Sequence, residues 1–282
     1  MRSVAVCVAV TVALSLAPRA QEATFRARTN LVRIDVLATN GRHPITDLTE
    51  ADFEIRDNGT RQTVDFMRFE ELPLNLTLVC DMSFSVAGDD ANNIRRAVQA
   101  LIPNLKRGDR VSMLTFGGRV TERLALTEDV GALATALDAV EPAGLTAAVD
   151  AIYSGLTMVG HEPGRSLVLV FSDGMDTASW LTPARLIEAV QASPATVYAV
   201  SIGDDATQFL REVTDASGGR HTRIDSTNNL EAAFAEFLGE FRKRYVLGYE
   251  PISTVPGWHR LEVKVRRRGV DIRARPGYIA PR

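Results

Sequence analysis

Cysteine is scarce in this chain. The 282 residues contain two cysteines, Cys7 and Cys80, and Cys7 lies in an apolar run near the N-terminus. If that run is removed on export, Cys80 stands alone, which excludes a fold held together by disulfide bonds. Cys80 follows Leu78 and Val79, and a lone cysteine among apolar neighbours is typical of a small buried side chain. A reactive thiol is the less favoured alternative.

Histidine and excess positive charge are also in short supply. The four histidines lie far apart, and none has the His-x-x-x-His spacing of a zinc-binding helix. The formal net charge is −3 at pH 7, so no basic surface for nucleic acid is expected. With 45% hydrophobic and 24% charged residues, the composition is that of a globular protein with room for one large domain and a smaller one.

Signatures of the common α/β enzymes are missing as well. The chain has neither the Asp-x-Asp pattern nor the Gly-rich phosphate loop of phosphoryl-transfer enzymes. It also lacks the Gly-x-Ser-x-Gly motif of serine hydrolases. A Ser-His-Asp triad stays open at this point, because its members need only meet in space. The sequence therefore favours a binding protein over an enzyme.

Long hydrophobic runs are absent after the first twenty residues. Ser3 to Ala17 form an apolar run behind Arg2, which is too short to span a bilayer comfortably and has the length of a signal-peptide core. We expect residues 1–20 to be a signal peptide cleaved near Ala20; a retained amphipathic or anchoring segment is the alternative. No transmembrane segment is expected in the mature chain, which would be secreted or periplasmic.

The middle of the chain, residues 73–241, alternates strand patterns with helix patterns. This rhythm predicts an α/β domain with a doubly wound, mostly parallel sheet. Residues 120–126 follow the preceding strand too closely for a crossover helix, and an antiparallel edge strand is predicted there. The predicted helices span residues 92–105, 130–140, 146–159, 183–192 and 230–241, with another from about 206.

Both ends of the chain are rich in short strands. Residues 21–72 contain three strand patterns separated by turn signals such as Asn40-Gly41, and residues 242–282 contain three more. Three short strands cover only part of a hydrophobic core. We therefore predict that the two ends fold together as a small β-sandwich-like module into which the α/β domain is inserted.

One strand ends in alternating oxygen-bearing side chains. Residues 76–80 have the pattern of a buried strand, and Asp81, Ser83 and Ser85 follow it. Alternate residues of an extended chain point the same way, so these three side chains can converge if the turn curls. Three oxygen ligands that face one point suit a hard cation such as Mg²⁺.

This stretch resembles the metal-ion-dependent adhesion site (MIDAS) of von Willebrand factor A domains, whose signature is Asp-x-Ser-x-Ser. That family adds a Thr at the start of a later helix and an Asp after a later strand, and Thr146 and Asp173 stand in those places. Leu145 and Ser172 are mild departures from the family's Gly-Gly-Thr and Thr-Asp-Gly. The resemblance implies a Rossmann-like fold and a metal site formed by Asp81, Ser83, Ser85, Thr146 and Asp173.

The resemblance also implies a mode of binding. In the family, a divalent cation accepts an Asp or Glu carboxylate from a partner protein; here the ion would be Mg²⁺, or else Mn²⁺ or Ca²⁺. A metal-stabilised structural or scaffold protein of the envelope is the alternative, and a metal-dependent hydrolase is less favoured. Met82 and Phe84 alternate with the site residues, and they either pack beneath the loop or form an apolar rim for a partner.

Asp89, Asp90 and Asp176 lie close to the site residues in sequence. We interpret them as solvated loop charges, with an acidic rim or a second cation site as the alternative.

Nearly all of the predicted mature chain is similar to the secreted von Willebrand factor A-related proteins of acidobacteria. The similarity rests on Asp52-Phe53-Glu54-Ile55, on Asp57-Asn58-Gly59, on residues 245–249 and on the ending from Arg273 to Tyr278. It implies an architecture and export, and it implies no particular molecular function.

Overall fold

The computed structural model describes residues 31–69, 72–159, 164–203 and 207–281. The predicted signal peptide, residues 1–20, lies outside these ranges, as do the ten residues that follow it. Within the described ranges, every helix is too short or too polar to cross a bilayer.

Helices and strands alternate through the centre of the described residues, and strands predominate at both ends. The helices are α1 Asp89–Leu101, α2 Ala148–Val159, α3 Pro183–Ala192, α4 Thr207–Ser217 and α5 Leu230–Arg242. The strands are β1 Val32–Asn40, β2 His43–Pro44, β3 Phe53–Asp57, β4 Thr60–Gln62, β5 Phe66–Arg68, β6 Leu74–Asp81, β7 Arg110–Phe116, β8 Val120–Thr127, β9 Arg165–Ser172, β10 Thr196–Ile202, β11 His221–Ile224, β12 Tyr245–Tyr249, β13 Gly257–Val265, β14 Asp271–Arg273 and β15 Gly277–Ala280.

A six-stranded sheet forms the centre of the α/β region, in the order β11-β10-β9-β6-β7-β8. Neighbouring strands are parallel except for β8, which pairs antiparallel with β7 at the edge, as its short connection predicts. Every residue of β6 and β9 is buried, because α1 and α5 cover one face of the sheet and α2, α3 and α4 cover the other. The predicted doubly wound, mostly parallel sheet is confirmed.

The predicted helix over residues 130–140 is wrong. The chain forms a short 3₁₀ helix at Val130–Ala134 and then turns. Successive amides there donate to the carbonyl three residues earlier rather than four, as Ala136 does to Leu133. Arg95 of α1 donates to the carbonyls of residues 137 and 140, and Gln99 to that of residue 134, which holds these turns against α1. Leu133, Leu137 and Val140 are still buried, so successive turns satisfy the apolar spacing without an α-helix.

Other elements differ from prediction mainly at their ends. The helix predicted over residues 92–105 begins three residues earlier and turns into a 3₁₀ segment at Pro103, which lacks a backbone donor. The helix predicted from residue 146 begins at Ala148, so Thr146 lies in the preceding loop. The segment 183–192 is a helix as predicted, with Pro183 in its first turn and the Thr182 hydroxyl accepting from a backbone amide.

Strands from both ends of the chain form two further sheets, which we call the β module (β1–β5 and β12–β15). One sheet has the order β14-β1-β12-β5, with β2 attached to β1, and the other has the order β15-β13-β3-β4. All of their pairings are antiparallel. The two sheets share one apolar core, which includes Ile34, Val36, Ile55, Leu247 and Leu261.

A buried polar cluster connects the two sheets of the β module. Asp57 on β3 lies 2.8 Å from His259 Nδ1 on β13 and accepts hydrogen bonds from the hydroxyls of Tyr249 at 2.8 Å and Tyr278 at 3.0 Å. His259 Nε2 lies 2.7 Å from the carbonyl of Val255. Both ring nitrogens face acceptors, an arrangement that favours the protonated, positively charged imidazole. Burial lowers the pKa of His259, but the hydrogen bonds to Val255 and Asp57 outweigh it, and the net shift is upward.

Arginines fasten the β module to the edge of the central sheet at which its parallel strands begin. Arg275 donates to three backbone carbonyls at the end of α3, at 2.8 to 3.2 Å. Arg165 donates to a carbonyl of α5 and pairs with Asp35 of β1 at 2.7 Å, and Arg244 donates to a carbonyl just after α4. Each guanidinium meets the negative end of a helix dipole. The β module therefore covers the amino edge of the sheet and leaves the carboxyl edge open.

The charged His259 makes the stability of the β module depend on pH. Because the folded-state pKa is raised, the stabilisation is complete below the ordinary pKa of about 6.5 and is lost as pH rises through the folded-state value. We expect the free energy of unfolding to fall between pH 6.5 and the folded-state pKa, by at most about 1.4 kcal/mol per pH unit for one proton.

The measurement is urea unfolding of wild type and of His259→Gln across this range, and the difference between the two curves isolates His259. The comparison is needed because burial lowers the pKa of His221, which gives an opposite slope below pH 6.5. Parallel curves for the two proteins would contradict a charged His259.

Candidate metal site

Three loops meet at the carboxyl edge of the central sheet. The first follows β6, the second precedes α2, and the third follows β9. β6 and β9 are adjacent and parallel, with Cys80 opposite Phe171, so Asp81 and Ser172 end the two strands side by side. Ligand sites of open parallel sheets lie at this edge.

A row of hydrogen bonds runs from the first loop to the third. Asp81 accepts from the backbone amide of Ser83 at 2.9 Å. The hydroxyls of Ser83 and Ser85 are 3.0 Å apart, and the Ser85 hydroxyl donates to Asp173 Oδ1 at 2.9 Å. Four of the predicted ligands thus lie in one continuous row, although the sequence separates Ser85 from Asp173 by 88 positions.

Thr146 is brought to the same place by its neighbours. The carbonyl of Gly144 accepts from the amide of Phe84 at 3.1 Å, which joins the second loop to the first. Gly144 has φ +80°, and a Cβ there would lie 2.7 Å from a backbone nitrogen of Gly118, so a larger residue does not fit. A Cβ built at Gly174 would lie 3.9 Å from the Thr146 hydroxyl oxygen, which places that hydroxyl beside the turn of Asp173.

The two carboxyl groups of the site are hard to ionise. Burial raises the pKa of Asp81 to about 6, against hydrogen bonds from Ser83 and Ser172 that lower it, and the charge of Asp173 raises it further. Burial also raises the pKa of Asp173, partly offset by the hydroxyl of Ser85, and the charge of Asp90 adds to the increase. A cation between the two groups would stabilise both charges.

The donor set fits a hard divalent cation. It consists of three hydroxyls and two carboxyls, which are the oxygen ligands that Mg²⁺ and similar ions prefer. In the described ranges, no three side chains of His, Cys, Asp or Glu are grouped so as to hold a metal ion. The site is therefore of the hydroxyl-rich type.

Ser172 and Thr177 position the predicted ligands, and sequence reasoning did not assign them these roles. The Ser172 hydroxyl donates to Asp81 Oδ2 at 2.7 Å. The Thr177 hydroxyl accepts from the amide of Thr146 at 3.1 Å, and its own amide donates to the Thr146 carbonyl. The role of Ser172 could have been inferred from its place in Ser172-Asp173-Gly174. Thr177 lies in a loop without a recognisable pattern, so the sequence held no signal for its role.

Asp176, interpreted from the sequence as a solvated charge, has structural contacts instead. Its Oδ1 accepts from the amide of Val149 near the start of α2 and from the hydroxyl of Ser179. Asp90 also accepts a hydrogen bond, from the Thr227 hydroxyl. Asp176 therefore holds the third loop against α2, and Asp90 joins α1 to the segment that precedes α5.

Neighbouring apolar residues divide between the interior and the surface. Met82 is buried beneath the first loop, whereas Phe84 is 69% exposed on its rim. Met82 thus packs beneath the loop, as one of the two expectations had it, and Phe84 does not. Cys80 is buried, and burial raises the pKa of its thiol to about 12, which agrees with the role of a small apolar residue.

The model of the von Willebrand factor type A domain family matches residues 75–236, more than half of the chain. The chain belongs to the von Willebrand factor A family. The matched range contains the three loops of the candidate site.

Individual relatives are distant. Human inter-alpha-trypsin inhibitor heavy chain H6 is 23% identical over 215 residues, which cover 65% of this chain and 16% of that protein. The chain therefore spans less than a fifth of that relative's length.

Solved structures share the von Willebrand factor A fold. A von Willebrand factor type A protein from Catenulispora acidiphila has a TM-score of 0.54 at 13% identity, over 86% of this chain and 72% of the other. A second structure is that of proximal thread matrix protein 1 from the mussel byssus, solved with a zinc-occupied MIDAS motif. It has a TM-score of 0.55 at 13% identity, and the match covers 66% of this chain and 49% of the other. At these identities the similarity establishes the fold alone.

Burial and the nearby charge of Asp173 disfavour the ionised form of Asp81. We therefore expect Asp81 to lower the stability of the metal-free protein. In Asp81→Asn, the amide can still accept from the Ser83 amide, and the Ser172 hydroxyl can turn to the Gly174 carbonyl, which is 3.3 Å away. The buried charge and its repulsion with Asp173 are lost. At pH 7, above the pKa of Asp81, we expect the free energy of unfolding without metal to rise by about 1–3 kcal/mol, and the stabilisation by added Mg²⁺ to disappear.

Thermal and urea unfolding with and without Mg²⁺ measure both effects. Asp89→Asn is the matched control, because Asp89 is an exposed acidic residue in the first turn of α1. It should leave the effect of Mg²⁺ intact. A metal-free Asp81→Asn protein less stable than wild type, or one still stabilised by Mg²⁺, would refute the electrostatic account.

Proposed function

We propose that this protein is an exported, non-enzymatic binding protein that holds a protein ligand through a divalent cation at its MIDAS-type site. One observation carries the proposal: Asp81, Ser83, Ser85 and Asp173 form a continuous hydrogen-bonded row at the open carboxyl edge, with Thr146 beside it. The ion would be Mg²⁺, with Mn²⁺ or Ca²⁺ as alternatives.

Each side chain has a role in this proposal. Ser83 and Ser85 supply neutral hydroxyl ligands, and Thr146 ligates directly or through water. Asp81 and Asp173 orient the hydroxyls and accept hydrogen bonds from metal-bound water. With mostly neutral direct ligands, the bound cation stays electrophilic, so an Asp or Glu carboxylate of the partner completes its coordination.

The surroundings of the site support this role. The β module is bound at the opposite edge of the sheet, so it does not cover the three loops. A structural neighbour with the same fold holds zinc in its MIDAS motif, which makes a divalent ion at this site plausible. Export, through a signal peptide over residues 1–20, belongs to the proposal, with the protein secreted or periplasmic.

The division into domains is part of the same proposal. Residues 73–241 would be the von Willebrand factor A domain, and residues 21–72 and 242–282 the two parts of the β module. The sheets agree with this division, because strands from both ends pair with each other rather than with the central sheet.

A Ser-His pair at hydrogen-bond distance occurs among the described residues, but it does not favour a hydrolase. The Ser201 hydroxyl lies 2.8 Å from His221 Nε2, but Ser201 is fully buried, so a substrate does not reach it. A metal-stabilised scaffold of the envelope is the second candidate. Buried residues such as Asp81 and Ser83, which a bound ion would rigidify, are the observation in its favour.

Calorimetric titration of Mg²⁺ and of Mn²⁺ into the purified protein tests the site. Wild type should bind one ion, Asp81→Ala should show no binding heat, and Thr146→Ala should bind more weakly, because each loses an oxygen of the site. Asp89→Ala should match wild type. Equal heats for wild type and Asp81→Ala would end the proposal of a metal site.

A pull-down from an envelope extract separates adhesion from scaffolding. If the site binds a partner, EDTA should release a protein from wild type, and Asp173→Ala should not capture that protein. Metal binding in the titration without any EDTA-sensitive partner would instead favour the scaffold.

A further inference from the structure

Large apolar side chains are exposed on the three loops that carry the site. Phe84 is 69% exposed, Leu145 62%, and Met175 60%. Trp180, on the loop that follows Asp173, is 96% exposed. Exposed apolar residues that cluster on one surface are typical of a contact site.

Trp180 stands at the wall of a groove next to the site. The groove has a volume of about 490 Å³, within the usual range of ligand pockets. Val120 and Leu181 line it and also pack against the core, while Tyr153, 40% exposed, lines it together with Trp180. Ala147, which lines the groove, directly follows Thr146 in the chain, and Gly118 lies against Gly144 and Leu145, so the groove adjoins the loop that carries Thr146.

The loop that carries Trp180 is held firmly on α2. Asp150 accepts from the amides of Trp180 at 2.9 Å and Leu181 at 3.0 Å, and the Ser179 hydroxyl accepts from the amide of Asp150. Earlier in the loop, two amides donate to the carbonyl of Thr146. The backbone that carries the indole is thus fixed both to α2 and to a predicted metal ligand. Little backbone freedom is therefore lost when the exposed indole binds a partner.

The charge beside the groove is complementary to an acidic partner. Two charged residues line the groove, Arg119 and Asp150. The Asp150 carboxylate is already engaged by the amides of Trp180 and Leu181, whereas Arg119 is exposed, and among the described residues its guanidinium has no ion-pair partner. Trp, Tyr and Arg are the residue types that contribute most to binding energy at protein interfaces. A cation in the site and the Arg119 guanidinium would both attract a carboxylate.

We propose that the groove is the second half of the binding surface: the partner is an extended protein segment that places a carboxylate at the cation and a large apolar side chain between Tyr153 and Trp180. The inference rests on the proposed function, because the carboxylate is taken to bind at the MIDAS-type site. It adds that partner choice depends on an apolar residue at a fixed spacing from the acidic one.

Selection of random linear peptides displayed on phage tests this surface, with the full chain immobilised in Mg²⁺. Wild type should enrich peptides with one Asp or Glu and one large apolar residue at a constant spacing. Trp180→Ala should retain the acidic residue and lose the fixed apolar one. Thr146→Ala should lose the acidic residue. Trp180 is almost wholly exposed, so its replacement should leave the fold intact, which circular dichroism checks.

A synthetic peptide of the enriched sequence gives the magnitude. Trp180→Ala should weaken its binding at least about tenfold, whereas Ile252→Ala should not change it. Ile252 is the matched control, since it is a 71% exposed apolar residue of the β module. In Trp258→Phe, Trp180 is the remaining tryptophan of the chain, and its fluorescence should change on binding of the peptide.

The outcomes separate the two proposals. A consensus that is acidic only, or equal consensus sequences from wild type and Trp180→Ala, would overturn the groove and leave the metal-dependent function standing. An apolar consensus that needs neither Mg²⁺ nor an acidic residue, or no consensus at all, would overturn both. Self-association of wild type that Trp180→Ala abolishes, measured by sedimentation, would show that a second copy covers the groove and would also overturn the inference.

Discussion

A buried carboxyl group at the end of a buried strand sets the geometry of the whole carboxyl edge. Asp81 is fully buried, and the enclosed charge is tolerated because the Ser83 amide and the Ser172 hydroxyl donate to it. These two bonds join the loop after β6 to the end of β9. These two hydrogen bonds do not fully offset the cost of burying the charge, since the pKa of Asp81 stays raised. Proteins keep such unfavourable groups where function needs them.

The two edges of the parallel sheet, at which its strands begin and end, carry different groups. The helices end at the amino edge, where their negative dipole ends accept hydrogen bonds from Arg165, Arg244 and Arg275. The β module is fixed there, and the interface is built from guanidinium groups and backbone carbonyls. At the other edge the loops stay free of the β module and carry the hydroxyls, the carboxyls and Trp180. The β module is thus assembled on one edge of the sheet, and the proposed binding surface lies at the other.

Local patterns predicted much of the α/β region. The apolar spacing of residues 230–241 predicted the buried face of α5, and Leu230, Phe234, Phe237, Leu238 and Phe241 are all buried. The same reasoning failed for residues 130–140, where the chain forms successive turns that keep the apolar side chains buried. Such turns bury apolar residues at nearly the spacing of an α-helix, so local periodicity does not distinguish the two. The exposure of Trp180 was equally invisible, since it depends on how Asp150 holds the loop.

The sequence by itself determined most of the order of strands and helices in the α/β region, the family, and which oxygen-bearing side chains are candidates for the site. These follow from short-range periodicity and a short signature. Only the tertiary structure decided that Ser85 meets Asp173 across 88 positions and that Asp57 meets His259 across 202. It also decided which edge of the sheet the β module leaves open. The physical reason is that such contacts depend on strand register and on the packing of distant segments, which no local pattern encodes.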